Sequence, residues 1–420
     1  MQPTVIFHLK QLFNEGWPAL RRKSDKLTYV LFPVLVFFPL LIIMLREKFF
    51  IRVVSISSDP IGHLSIETEL NYRAFKKSVE VFKKRFPNSK KKFFILFFRS
   101  GRICNYTLYR LLKRQFIFVH PSIGKVCIVV LRLLNFYSNA PYVFIRNRDL
   151  KDTMPSLANP ISFSTQEYAF VKKNGTFDQF NVNKPYICIL NRESTYHDQF
   201  FSGIDSHNSY RNVDINDFVP LIDFFNRQGI QVVRMGSNMK QDIHYQNSLF
   251  FDYSKSRYRS DFYDIFLPAH CDFFVSVSTG LDMVAWQFRR PVYYCNVAPL
   301  SHVQIQTRTI FTPKLLVSNN GNVHIKSDSV EFNQARFLLR TESLNELSLH
   351  YTSNTSDEIL NLAEEIFTFH YGNFHLTKSQ LNLQEKFWVN FPYNSTLHFR
   401  NYHKAIISPY FLNKHADLFT

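Results

Sequence analysis

The sequence predicts an α/β protein organised around a parallel sheet. From residue 184 onward, short apolar runs (PYICILN, IQVVRMG, SLFFDY, DFFVSVS, PVYYCN) alternate with segments whose apolar residues fall at helical spacing. That alternation, with helices of about 10–15 residues between strands, is the signature of a parallel sheet. With 420 residues, 45% of them hydrophobic, the chain is long enough for two domains with large cores. There is no internal repeat that would suggest a solenoid instead.

Taken in order, FFIRVVSIS (49–57) reads as a buried strand, broken at Ser58-Asp59-Pro60, and Gly62-His63 opens a helix, LSIETELNYRAF. KKFFILFF (91–98) is a second strand, and KVCIVVLRLL (125–134) is open between strand and helix. Residues 150–183 are mixed and polar, with Pro155, Pro160 and Gly175, and read as the passage between domains. After PYICILN, Asp214 stands where a helix N-cap belongs, and DINDFVPLIDFFNRQG runs at helical spacing to Gly229. Ser260 is placed to cap SDFYDIFLPAH, and DFFVSVS runs through Ser278-Thr279-Gly280 into TGLDMVAWQF. Towards the end Ser356 is placed to cap DEILNLAEEIF, with Leu360, Ala363, Ile366 and Phe367 on one face. The expected division is 1–48, a basic and hydrophobic membrane segment; 49–180, an acceptor- and membrane-facing domain; 181–340, a second α/β domain; and 341–420, a helical region packing back on them.

The charge is lopsided. The net formal charge is +17, and residues 73–148 hold 18 lysines or arginines against the single acid Glu80. Lys76-Lys77, Lys83-Lys84-Arg85 and Lys90-Lys91-Lys92 are interleaved with Phe, Leu, Ile and Tyr. Cations mixed with apolar groups suit an anionic membrane surface, where each contributes roughly 1 kcal/mol. A solvated face and nucleic acid compete with that reading, but no nucleic-acid-binding motif accompanies the charge, so no nucleic-acid partner is expected. Residues 27–45 form an uncharged apolar run flanked by Arg21, Arg22, Lys23, Lys26, Arg46 and Lys48. The run just reaches the ~18 residues of a spanning helix. Pro33 and Pro39 leave an in-plane or re-entrant segment open, and a buried core helix is the third alternative. The five cysteines include no close pair, so neither a zinc site nor a disulfide framework is expected, which favours a reducing compartment. Four N-x-S/T sequons, at Asn105, Asn174, Asn354 and Asn394, carry little weight in so Asn-rich a chain.

Several stretches, in order, resemble a known family: IGHLSIETE (61–69), LNREST (190–195), YRNVDINDF (210–218), VVRMG (232–236), FDYSKSRYRSDFYDIFLPAHCDFFVSVSTGL (251–281), RPVYYCNVAPL (290–300), NTSDEI (354–359) and FLNKHADLF (411–419). They are similar to glycosyltransferases encoded among bacterial surface-polysaccharide and lipopolysaccharide genes. The resemblance runs from about residue 50 to the end. It implies a GT-B-like fold, two Rossmann-like domains facing a cleft, with the acceptor on the N-terminal side and the nucleotide-sugar donor on the C-terminal side. In SDPIGHL the approach to Ile61 departs from the arginine-containing form usual in the family. The resemblance implies no cofactor beyond the donor and no metal, in keeping with the lack of a D-x-D triplet. With the apolar run, it places the catalytic domains at the cytoplasmic face of the inner membrane.

Transfer from a nucleotide sugar requires charge stabilisation on the leaving diphosphate. Arg192 and Arg234 each end an expected strand, where a guanidinium fork can hold a diphosphate. A structural ion pair is the alternative for each, with Glu193 and Asp252 as partners. Gly236 closes the turn after Arg234. Ser278, Thr279 and Gly280 open a helix whose N–H groups can hold an anion or merely cap it; Asp282 is either a sugar ligand or a first-turn acid. Arg259, Ser260 and Asp261 are placed for nucleotide or ribose contacts, or for capping. Arg211-Asn212 and Asp214 can shape the donor loop. His63 is the candidate base, since histidine titrates near working pH, and Glu67, one helical turn on, can orient it or act itself; Asp59 is a third choice. Two rival classes stay open. One is a non-catalytic membrane-associated nucleotide- or saccharide-binding component of a polysaccharide assembly complex. The other, an enzyme with a dinucleotide cofactor, lacks the G-x-G-x-x-G after its first strand.

Overall fold

The computed structural model describes residues 49–133, 159–193, 206–299, 309–390 and 405–419, apart from 238, 321–322, 336–337, 339 and 373. The apolar run 27–45, and with it the expected membrane segment, lies outside those residues. Among the described residues no helix is long and apolar enough to cross a membrane. The chain divides into two compact units, Met1–Cys104 with Leu112–Arg146, and Asn105–Leu111 with Asn147–Thr420.

In the first unit β1 (Phe49–Ser57) and β2 (Lys92–Ser100) are joined by α1 (Ile61–Arg85). The strands pair in parallel, in register from Phe49↔Lys92 to Ser57↔Ser100. Parallel pairing needs such a crossover, and a helix supplies it. The helix α2 (Tyr106–Gln115) follows, its residues up to Leu111 assigned to the second unit, and the ambiguous run after it is helical, α3 (Pro121–Leu133). Val53, Phe98 and Cys127 form a small core with Leu96 and Ile123 packed against it. Gly124 lets α3 approach β2: a Cβ there would stand 2.2 Å from the Phe98 ring. Along α1 every residue from Leu64 to Asn71 is buried, polar ones included, whereas the helix is mostly exposed from Lys76 onward.

The second unit starts, among the described residues, within the stretch read as a passage between domains. There α4 (Thr165–Asn174) opens on a Ser164–Glu167 capping box. The hairpin β3 (Thr176–Phe177) and β4 (Phe180–Asn181) follows. Its rings bind it to the sheet, Phe180 stacking on Phe251 at 5.3 Å. The main sheet holds β5 (Tyr186–Leu190), β6 (Gln231–Arg234), β7 (Phe250–Asp252), β8 (Phe274–Ser276), β9 (Val292–Val297), β10 (Thr309–Pro313) and, later in the chain, an edge strand (Ala405–Ile407). All neighbours are parallel. From β5 the chain steps through β6 and β7 to one side, then through β8, β9, β10 and Ala405–Ile407 to the other. The order therefore reverses between β5 and β8. In open α/β sheets, that switch point is where ligands bind, outside the carboxyl ends of the strands. Of the two Rossmann-like domains expected, this unit shows the open parallel sheet, and the described part of the first shows one β-α-β unit.

Helices cover the sheet. Asp214 accepts from the Asn216 N–H, as its position suggested, and α5 (Val219–Arg227) follows. Gly229 ends that helix with φ +77°, a conformation glycine adopts without penalty. The helices α6 (Tyr263–His270) and α7 (Asp282–Gln287) are shorter than their sequence patterns. The long helix of the last region, Ser356–Tyr371, packs beside α5 over a core that includes Phe225, Val232, Phe273 and Ile366, all fully buried. A buried phenylalanine or isoleucine contributes roughly 1.5–3 kcal/mol. Thr355, not Ser356, is the cap, in a capping box with Glu358. The buried face is Ile359, Leu362, Ala363 and Ile366, one position off the expected stripe at its start. The last region is not purely helical: Leu349–Thr352 joins a small antiparallel sheet, and Ala405–Ile407 extends the main one.

Candidate functional site

At the switch point Leu190 of β5 pairs with Ser276 of β8. The residues that follow each strand, Asn191-Arg192 and Val277-Ser278, therefore leave the sheet side by side. A third segment, Tyr210–Val213, lies across them. Val213 N–H donates to Arg192 O at 3.1 Å, and Asn191 Nδ2 to Val213 O at 3.1 Å. Arg192 Nε donates to Asn212 Oδ1 at 3.3 Å, and Arg211 Nη2 donates to the Ser278 carbonyl. From beyond β10, Lys314 Nζ donates to Tyr210 O at 3.0 Å and Asn212 O at 2.9 Å. Burial holds the Lys314 ammonium down at about 8, with Asp217 pulling the other way. Burial also lowers Arg211, against the pull of Tyr210 and Asp282. Two half-buried arginines thus stand at the switch point, Arg192 after β5 and Arg211 on a segment tied down from three sides.

Arg234 does not join them, which corrects the expectation of a phosphate fork. It is fully buried. Its Nη2 donates to Glu193 Oε1, and its Nη1 to Asp252 Oδ2 and the Gln241 carbonyl, each at 2.9 Å. Glu193 Oε2 in turn accepts the Lys240 N–H at 2.7 Å and the Gln241 N–H at 3.2 Å. Both faces of the fork are filled by carboxylates, so Arg234 ties the ends of β5, β6 and β7 together instead of facing a ligand. Gly236 serves the turn that follows. It has φ +137°, and a Cβ would stand 2.7 Å from Met239 Cγ.

The Ser278-Thr279-Gly280 loop is closed by its own acid. Asp282 Oδ2 accepts from Ser276 Oγ and the Thr279 N–H, each at 2.7 Å. The Thr279 N–H expected for an anion is therefore occupied. Ser278 is buried with φ +61°, a costly conformation for a residue with a Cβ, and Gly280 is exposed. Burial raises the Asp282 carboxyl to about 7, although the Ser276, Thr279 and Arg211 groups around it favour its charge.

The other residues expected on the donor side make local contacts. Asp261 Oδ2 accepts the Tyr106 N–H at 2.8 Å, and Asp261 O accepts from Asn105 Nδ2 at 2.9 Å. Ser260 Oγ accepts the Tyr263 N–H at 3.3 Å. Arg259 reaches Asp264 at 3.4 Å. In the first unit His63 Nδ1 lies 2.7 Å from Glu67 Oε1, as the one-turn spacing implied, with Glu67 fully buried and His63 half-buried. Asp59 is tied to the Arg102 N–H at 3.0 Å.

Sequence reasoning missed Lys314. Its signal was a single charge between apolar residues in FTPKLLV, a poor place for lysine unless it is held. All five cysteines are free. Among the described residues no group of three or more His, Cys, Asp or Glu is arranged to hold a metal ion.

No protein-family model and no curated protein matches the chain. Solved structures similar to it include the ADP-heptose LPS heptosyltransferase II of E. coli, at 12% identity over 76% of this chain and 98% of that one, with a TM-score of 0.38. A glycosyltransferase family 9 structure from Veillonella parvula DSM 2008 matches at 12% identity over 76% and 97%, TM-score 0.39. The iron-containing dodecameric glycosyltransferase TibC from enterotoxigenic E. coli H10407 matches at 16% identity over 59% and 58%, TM-score 0.29. At TM-scores this low, the likenesses assign neither fold nor chemistry to the chain.

Proposed function

We propose that the chain is a glycosyltransferase of GT-B type, moving a sugar from a nucleotide-sugar donor to a lipid-linked or surface-polysaccharide acceptor, such as a lipopolysaccharide or capsule precursor, at a membrane. The observation that carries the reading is the pair of arginines, Arg192 and Arg211, at the switch point of a parallel sheet. Both lie in the stretches that resemble the glycosyltransferase family, LNREST and YRNVDINDF. The diphosphate sits on these guanidiniums, with the Thr279 hydroxyl and Gly280 beside it. Arg259 remains the donor-side cation at the start of α6. The base is His63. In the tautomer whose Nδ1–H donates to Glu67, 2.7 Å away, Nε2 is the basic nitrogen. Nε2 takes the proton of the acceptor hydroxyl as its oxygen bonds to the anomeric carbon. The bond from that carbon to the diphosphate breaks, and the arginines meet the charge that develops.

The test is a thermal-shift screen of the detergent-solubilised full chain against UDP, GDP, CMP, ADP and TDP. A nucleotide at 100 times its dissociation constant adds about 2.7 kcal/mol of stability. One nucleotide should shift the melting temperature, and Arg192→Ala should abolish most of that shift. No shift with any nucleotide, or a full shift in the variant, removes the donor site from the switch point.

A further inference from the structure

We propose that one end of the first unit docks on an anionic lipid surface, through Lys83, Lys84, Lys90 and Lys91 set around Phe82 and Phe86. This deepens the membrane part of the reading above and is independent of sugar transfer. Three observations converge on that end. Residues 83–92 are all exposed, at the far end of a helix whose first turns are buried. Between the two cationic runs the rings gather: Phe82 meets Phe86 at 4.9 Å and Phe93 at 5.3 Å, and Phe93 meets Phe50 at 5.9 Å. Phe86 and Phe50 nonetheless remain 48% and 40% exposed. Finally, β1 begins here, Phe50 pairing with Phe93. The residues outside the structure therefore reach the unit at this end, and the apolar run 27–45 lies among them.

The occupant follows from charge and shape. Residues 73–148 contain one acid, Glu80, so the surface carries an unbalanced positive field. Exposed aromatic rings beside lysines match the headgroup level of a bilayer, where rings sit at the apolar boundary and ammonium groups meet lipid phosphates. Nucleic acid would also meet the lysines. However, these rings contact one another, so they are not set out singly as stacking platforms for bases.

Hydrogen–deuterium exchange of the full chain tests the docking, with vesicles of phosphatidylcholine alone and with about a third phosphatidylglycerol. Amides of residues 82–94 should be protected on the anionic vesicles and not on the neutral ones, and high salt should remove the protection. The variant Lys83→Gln, Lys84→Gln, Lys90→Gln, Lys91→Gln should lose roughly 10²–10³-fold of the extra partition onto anionic vesicles. Its melting temperature and nucleotide shift should stay those of the parent, which separates a failure here from a failure of the donor site. Equal protection on both vesicles, none on either, or protection by a single-stranded oligonucleotide alone overturns the proposal.

Discussion

Arg192 and Arg234 stand at the ends of neighbouring strands, β5 and β6, and their fates differ. Arg234 is closed on all sides, with two carboxylates and a carbonyl on its fork. Arg192 is half-buried, and its Nε donates to an amide oxygen, that of Asn212. The carboxylate that follows Arg192 in sequence, Glu193, belongs to Arg234 instead. The difference follows from sheet position. Arg234 lies between β5 and β7, whose ends each supply an acid, whereas Arg192 leaves the sheet at the point where strand order reverses. Two arginines that look alike in sequence thus divide into a buried structural tie and a half-buried cation at the switch point, the one proposed above to meet the donor.

The sharpest way to break that distinction is to remove the tie. Arg234→Ala leaves Glu193 and Asp252 without their counter-ion in a low-dielectric setting, and the loss should be about 3–5 kcal/mol of unfolding free energy, read from a denaturant midpoint. Lost nucleotide binding in a variant with parental stability would return Arg234 to the ligand site. A loss of turnover without a stability measurement decides nothing, since unfolding would produce the same loss.

How much of this was legible can be said strand by strand. The buried strands of the main sheet, the Asp214 cap and the His63–Glu67 pair follow from apolar runs and a one-turn spacing, both local signals. Glu193 and Asp252 stood in the sequence as partners for either arginine, but which of the two they would hold was not legible, because Glu193 is 41 residues from Arg234 and sheet order decides the meeting. The edge strand Ala405–Ile407 was missed because three residues carry no period. The Ser278–Gly280 loop follows its strand and precedes a helix as the sequence suggests, but that the Thr279 N–H meets Asp282 depended on the rotamer of that acid. Lys314 was overlooked for a related reason, since its acceptors are backbone carbonyls about a hundred residues back in the chain.

Asp282 gives a second, smaller contrast, between an acid that is charged and one that is held nearly neutral. Its carboxyl keeps its proton up to about 7 in the native state, against an ordinary value of 3.8. Between those values the native state binds more protons than the unfolded chain, so this group's contribution is largest below about pH 4 and falls as pH rises to about 7. Asp282→Asn should remove about 1–3 kcal/mol of that decline, measured as the difference in unfolding free energy between parent and variant across the window. A constant difference with pH would show that Asp282 is already ionised throughout.

The smallest effect concerns Asp261, where the donor-site and structural readings part most cleanly. Its carboxylate accepts the N–H of Tyr106, at the start of a helix whose own cap is Asn105. An exposed bond of this kind, one of two at the same helix start, contributes about 0.5–1 kcal/mol. Asp261→Ala should therefore lower the melting temperature slightly and leave the nucleotide shift intact. Asp261→Asn, which keeps an acceptor oxygen, should recover most of the small loss. If the carboxylate instead holds a ribose hydroxyl when donor is present, the order inverts: stability barely moves and the nucleotide shift shrinks in both variants. That inversion would also mean that the Tyr106 contact opens on binding, so the two readings differ in a bond as well as in an affinity.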